Sequence, residues 1–130
     1  MKMRVLILAG LAGALAAPLA LAEDYAGGAV TTTKTKAGEI LADAKGMTLY
    51  TFDKDKKGQS ACYDDCAAKW PPLLATGKAA AKDGFTLVER KGGEKQWAYK
   101  GMPLYLWQND KKPGDTTGDG VGGVWHVATE

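Results

Sequence analysis

"GMTLYTFDKD" occupies residues 46–55, and "GMPLYLWQND" occupies residues 101–110. Set at an offset of 55, Gly46, Met47, Leu49, Tyr50 and Asp55 fall on Gly101, Met102, Leu104, Tyr105 and Asp110. Phe52 falls on Trp107, and the same frame carries Trp70 onto Trp125 without a gap. One phrase written twice in one frame is the mark of an internal duplication. Two copies are too few for a solenoid, so they are expected to pack on each other with pseudo-twofold symmetry.

Each copy reads as a β-hairpin, a loop and a returning segment. In the second copy Gln96–Tyr99 and Met102–Trp107 flank Lys100-Gly101, a two-residue connection that signals a hairpin. Alternation along Met102–Trp107 puts Met102, Leu104 and Leu106 on one face, with Tyr105 and Trp107 on the other. Both faces are apolar, so the strand is expected to be covered on both sides. Further strand candidates are Ala29–Lys36, Glu39–Asp43, Phe85–Arg90 and Val124–Ala128. Residues 60–69 have the composition of a short helix, and Pro71-Pro72 stops it. Residues 75–84 read as the connection between copies, and residues 110–123 as a loop. The expected fold is α+β and mainly β: two pseudo-symmetric hairpin repeats, about residues 36–74 and 85–128, around a shared aromatic core with one short helix.

The start of the chain is of another kind. Lys2 and Arg4 precede an apolar run from Val5 to Ala17, and Ala20-Leu21-Ala22 supplies small residues at a cleavage site. This is a secretory signal pattern, so residues 1–22 are read as a leader and residues 23–130 as a single domain. Cleavage near Ala22 places the product in the periplasm or outside the cell, with no membrane span left and no cysteine at the new terminus for a lipid anchor. Without Lys2 and Arg4 the basic residues equal the 15 acidic ones in number. A balanced charge argues against nucleic acid as a partner.

Y-x-(F/W/Y)-x-x-D is matched by Tyr50, Phe52 and Asp55 and again by Tyr105, Trp107 and Asp110. With "CYDDCAAKWPPL" between the copies and "GVGGVWHV" near the end, the chain resembles a bacterial family of secreted repeats, the predicted lipoproteins with this motif. The resemblance covers roughly residues 36–128. It implies an extracytoplasmic location and no established reaction.

Four groups of residues are candidates for chemistry. Cys62 and Cys66 are the two cysteines, and outside the cytoplasm such a pair most simply forms a disulfide. On a regular helix their Cβ atoms would stand about 5–6 Å apart, whereas a relaxed disulfide needs about 3.8 Å. Either the segment departs from regular helix or the bond is strained. The pair reads as a structural staple, as a thiol-redox pair, or, with the single histidine His126, as a copper or zinc site. Asp53, Asp55, Gly58 and Asp64 fall at positions 1, 3, 6 and 12 of a calcium-loop pattern, although Lys57 at position 5 repels a cation. The plainer reading of Asp55 and Asp110 is that each carboxylate fixes a turn by accepting nearby backbone N–H groups. Finally, Tyr50, Phe52, Trp70, Trp97, Tyr99, Tyr105, Trp107 and Trp125 form either a core or an exposed stacking face.

No nucleophile, base and orienting group can be assembled from these residues, so no catalytic site is expected. The reading that follows is a non-catalytic extracytoplasmic module binding a partner or small ligand, with no cofactor expected. The alternatives are thiol-redox or copper handling by Cys62 and Cys66, and a calcium-stabilised scaffold.

Overall fold

The computed structural model describes residues 24–36, 38–77 and 79–130. The leader reading of residues 1–22 lies outside the described residues. Among the described residues eight strands and one α-helix follow in order: β1 (Asp24–Tyr25), β2 (Val30–Thr35), β3 (Gly38–Asp43), β4 (Tyr50–Phe52), α1 (Asp65–Lys69), β5 (Phe85–Glu89), β6 (Lys95–Tyr99), β7 (Met102–Pro103) and β8 (Trp125–Val127). They form two three-stranded antiparallel sheets, β1-β2-β3 and β5-β6-β7, and a two-stranded pair of β4 with β8.

The duplication is visible bond by bond. β2 pairs with β3 through Thr31 and Ala42, and β5 pairs with β6 through Thr86 and Ala98. In one copy Leu49 N–H donates to the Leu41 carbonyl, and Leu41 N–H donates to that of Ala128. In the other, Leu104 N–H donates to Trp97 and Trp97 N–H to Leu73. The frame is 55 residues from β2 to β5 and again after the hairpin turn, but 56 from β3 to β6, because the hairpin connection of the first copy is one residue longer. Lys100 and Gly101 both have positive φ, 51° and 87°, as a two-residue type I′ turn requires. The first copy instead turns through residues 44–46, with Gly46 at φ 86° and the Asp43 carboxylate accepting from Lys45 and Met47 N–H.

The copies meet at Tyr50 and Tyr105. Tyr50 N–H donates to the Tyr105 carbonyl at 2.8 Å, and Tyr105 N–H donates back at 3.0 Å. This exchange puts the pseudo-twofold axis between two equivalent residues. It also shortens the expected strand Met102–Trp107. Its regular part ends at Pro103, and the extended chain then changes partner at each residue: Leu104 bonds Trp97, Tyr105 bonds Tyr50, and Leu106 bonds Pro71.

Alternation sorts the interior into two clusters, one of which is the expected aromatic core shared by the two repeats. Leu49 and Leu104 face a cluster with Val30, Leu41, Leu73, Phe85 and Trp97. Their neighbours Tyr50 and Tyr105 face the opposite way, into a cluster with Phe52, Cys62, Trp70 and Trp125. All four of these Leu and Tyr residues are fully buried, so both faces of the segment are covered as its apolar pattern demands.

The helix is shorter than expected. It begins at Asp65, because Asp64 has φ 55° and Cys62 is held by loop hydrogen bonds. At the equivalent place in the second copy, Val121–Gly123 makes a single tight turn in its glycine-rich stretch. With Cys62 outside the helix, the disulfide to Cys66 closes with a Cα–Cα distance of 5.2 Å, within the usual range. The departure from regular helix is thus the alternative that the structure takes.

Candidate functional site

The motif residues converge across the repeat boundary. Tyr50 hydroxyl donates to Asp110 Oδ2 at 2.6 Å, and Tyr105 hydroxyl donates to Asp55 Oδ2 at 2.6 Å. Each tyrosine therefore binds the aspartate of the other copy. The aspartates stand where they do because both copies make the same turn: Asp55 N–H bonds the Phe52 carbonyl, and Asp110 N–H bonds that of Trp107. The second carboxylate oxygen fixes the loop that follows. Asp55 Oδ1 accepts Ala61 N–H at 2.7 Å, while Asp110 Oδ1 accepts Thr117 N–H at 3.0 Å and its hydroxyl at 2.6 Å. Turn fixing by aspartate is thus observed. Sequence reasoning missed the tyrosine in the other copy, although the repeated six-residue spacing put Tyr and Asp in matching places.

Burial raises the cost of ionising Tyr50, Tyr105 and Asp55. Tyr50 and Tyr105 are held well above the usual phenol range, first by burial and then by the carboxylate each one faces. Burial also pushes Asp55 up, against the Tyr105 hydroxyl, the Ala61 N–H and the charge of Arg90. The half-buried Asp115 moves the other way, because its carboxylate accepts the N–H groups of Lys111 and Lys112.

The two tyrosines differ in their remaining partner. Gly118 N–H donates to the Tyr50 hydroxyl at 3.1 Å. Tyr105 hydroxyl instead meets Ser60 Oγ at 2.6 Å, and Ser60 accepts from Arg90 Nη1. Arg90 is 5% exposed and also donates to Gln96 Oε1 and the Cys62 carbonyl. Its guanidinium lies 4.3 Å from the Tyr63 ring centre, so it ties the cysteine loop to the second repeat.

Beneath these bonds the rings form a continuous stack. Trp70 and Trp125 lie 3.8 Å apart at an interplanar angle of 3°. Phe52 continues the stack beyond Trp125 at 4.2 Å, and Trp107 continues it beyond Trp70 at 4.0 Å. Tyr50 meets Trp70 edge-on at 5.3 Å, and Tyr105 meets Trp125 edge-on at 5.2 Å. Every one of these contacts has its twofold mate. Pairs of this kind add roughly 0.5–1.5 kcal/mol each beyond area burial. The aromatics are therefore chiefly interior; Trp97 and Tyr99 belong to the other cluster. Only Trp107 in the stack is more than marginally exposed.

The metal candidates are not assembled. Cys62 and Cys66 are bonded to each other, while exposed His126 has Nε2 2.8 Å from Asp53 Oδ2. Asp55 is committed inside the fold, and Asp53, Asp55 and Asp64 do not converge. Among the described residues no group of three or more His, Cys, Asp or Glu is placed to hold one ion.

These features define a class: a two-repeat, β-rich domain closed by tyrosine–aspartate bonds exchanged between its halves. The chain belongs to the family described as a secreted repeat of unknown function, whose model matches residues 31–74 and 86–129. The first match takes in β2, the structural mate of β5. The chain matches no curated protein and no solved structure. Among the described residues no helix is long and apolar enough to cross a membrane.

Proposed function

We propose that the protein is a non-catalytic binding module working outside the cytoplasm, in the periplasm or beyond, after a leader is removed near Ala22. The observation that carries this reading is a cleft of about 270 Å³ at the junction of the repeats. Thr51 comes to it from the first copy, and Tyr99, Lys100, Met102 and Val127 from the second. Its size is just under that of pockets for drug-sized ligands, so it suits a small molecule or one protruding side chain of a partner. An ammonium, a thioether and an aromatic ring side by side suit an amphipathic occupant. The buried tyrosines and aspartates are spent on one another, which supports a framework role for the motif.

A fragment screen by NMR tests this. Hits are expected to shift amides at Thr51, Tyr99–Met102 and Val127–Thr129, and Met102→Ala is expected to weaken them. Hits scattered over the surface, or specific turnover by the purified protein, would overturn it.

A second reading, thiol redox or copper handling, draws on the disulfide between partly exposed Cys66 and fully buried Cys62. Reduction would release two thiolates of the kind that bind Cu(I). Stoichiometric Cu(I) binding by reduced protein, abolished in Cys62→Ser, supports it; a disulfide resistant to reduction removes it.

A further inference from the structure

We propose that the ring stack is a one-electron relay: an oxidising equivalent taken up at Trp107 passes through Trp70 and Trp125 and comes to rest on Tyr50 or Tyr105. The occupant of the entry end is a small diffusible one-electron oxidant. Four observations carry this, and they go beyond a binding role.

The first is contact. Trp107, Trp70 and Trp125 are stacked in succession, with ring centres 4.0 and 3.8 Å apart, in van der Waals contact. The second is polarity. The stack is symmetric in shape but not in chemistry, because Phe52 stands where its mate is Trp107. Benzene rings are far harder to oxidise than indoles, so the Phe52 end is closed and the Trp107 end is open. The third is access. Trp70, Trp97 and Trp125 are at most 4% exposed, which leaves Trp107 as the one indole of four that a diffusing oxidant can meet. Its Nε1–H is buried and has no partner among the described residues. An oxidised Trp107 thus has no base to hold it there.

The fourth is the fate of the proton. A phenol gives up an electron readily only if its proton leaves as well, and Asp55 and Asp110 accept hydrogen bonds from Tyr105 and Tyr50 at 2.6 Å. The oxidant gains one electron and Trp107 becomes a radical cation. Electrons from Trp70 and then Trp125 refill it, and the hole moves inward. Tyr105 then gives one electron to the Trp125 radical cation, while its O–H bond breaks and the proton bonds to Asp55 Oδ2. The products are a neutral indole, a phenoxyl radical and a neutral carboxylic acid. A buried cation and a buried anion have cancelled, which a low-dielectric interior favours. Tyr50 does the same from Trp70 toward Asp110.

Pulse radiolysis of the folded full-length protein in azide solution tests this, because the azide radical takes one electron from an exposed indole at neutral pH. The expected result is an indole radical that decays as a phenoxyl radical grows, at a rate independent of protein concentration. Tyr50→Phe with Tyr105→Phe removes both phenols on which the relay ends, so the phenoxyl growth that follows indole decay should be lost. Trp107→Phe keeps both tyrosine–aspartate bonds and closes the entry, so it should lower the relayed phenoxyl yield in a protein with unchanged far-ultraviolet circular dichroism and cooperative unfolding. Phenoxyl growth that scales with protein concentration would overturn the relay. So would growth undiminished by Trp107→Phe, which would make Tyr25, Tyr63 or Tyr99 the site of direct oxidation.

Discussion

Removing the tyrosine hydroxyl from one repeat should be felt by the aspartate of the other. Tyr50 is fully buried and Asp110 is 7% exposed, and the bond between them is 2.6 Å. A hydrogen bond to a charged group is worth about 1.5–3 kcal/mol. Tyr50→Phe also takes the acceptor from Gly118 N–H, so the single variant should lose about 3 kcal/mol. That is a large part of the roughly 5–15 kcal/mol that holds a domain together. A double-mutant cycle separates the shared bond from the rest. Tyr50→Phe with Asp110→Ala should show a coupling of about 2 kcal/mol by denaturant unfolding. Tyr50→Phe with Asp55→Ala, within one copy, should be additive to about 0.5 kcal/mol. A coupling larger within a copy than between copies would refute the exchange.

Further predictions rest on single residues. A Cβ on Gly118 would stand 2.8 Å from Trp70 and 3.0 Å from Trp107, so Gly118→Ala should lose about 1–3 kcal/mol of stability in urea unfolding. Breaking the Cys62–Cys66 bond as Cys62→Ser with Cys66→Ser should cost at most about 2 kcal/mol, the loop-closure value for so short a ring, measured by the shift in thermal midpoint. Tyr50 and Tyr105 have folded pKa values above the unfolded one, so their contribution is complete below pH about 10 and is lost above it. An ultraviolet titration should therefore show these two phenols ionising only as the fold breaks. Asp55 is also raised, so it disfavours the folded state as pH climbs through the range above about 3.9, and Asp55→Asn should flatten that fall in a stability–pH curve.

What was legible in the sequence was whatever one repeat states about itself. Lys100-Gly101 announced a hairpin because its geometry is local, and the alternation through Leu104, Tyr105 and Leu106 announced a segment buried on both sides. Asp55 and Asp110 were readable as turn-fixing residues for the same reason. What lay hidden was partnership. Nothing within "GMTLYTFDKD" says that the Tyr50 hydroxyl will meet Asp110, since that follows from where a second copy docks. The symmetry implied docking onto a shared aromatic core without giving its axis, so it did not say that Trp97 and Tyr99 would lie in a second cluster. The helix over residues 60–69 was overdrawn because Ser60 and Cys62 are held by Tyr105, Arg90 and each other, long-range or side-chain bonds that composition does not report. The cation patterns carried no direction: Asp53, Asp55 and Asp64 are close in sequence, but Asp53 turns to His126 and Asp55 inward to Tyr105.

Cutting the chain between its repeats tests the central claim most directly. A protease site placed within residues 75–84, cleaved in the folded protein, should leave two fragments that co-elute on gel filtration, keep the near-ultraviolet circular dichroism of the indole stack and unfold in a single step. Fragments that separate while either one keeps that signal would show that a repeat stands alone, and the account of two halves closed by exchanged tyrosine–aspartate bonds would be wrong.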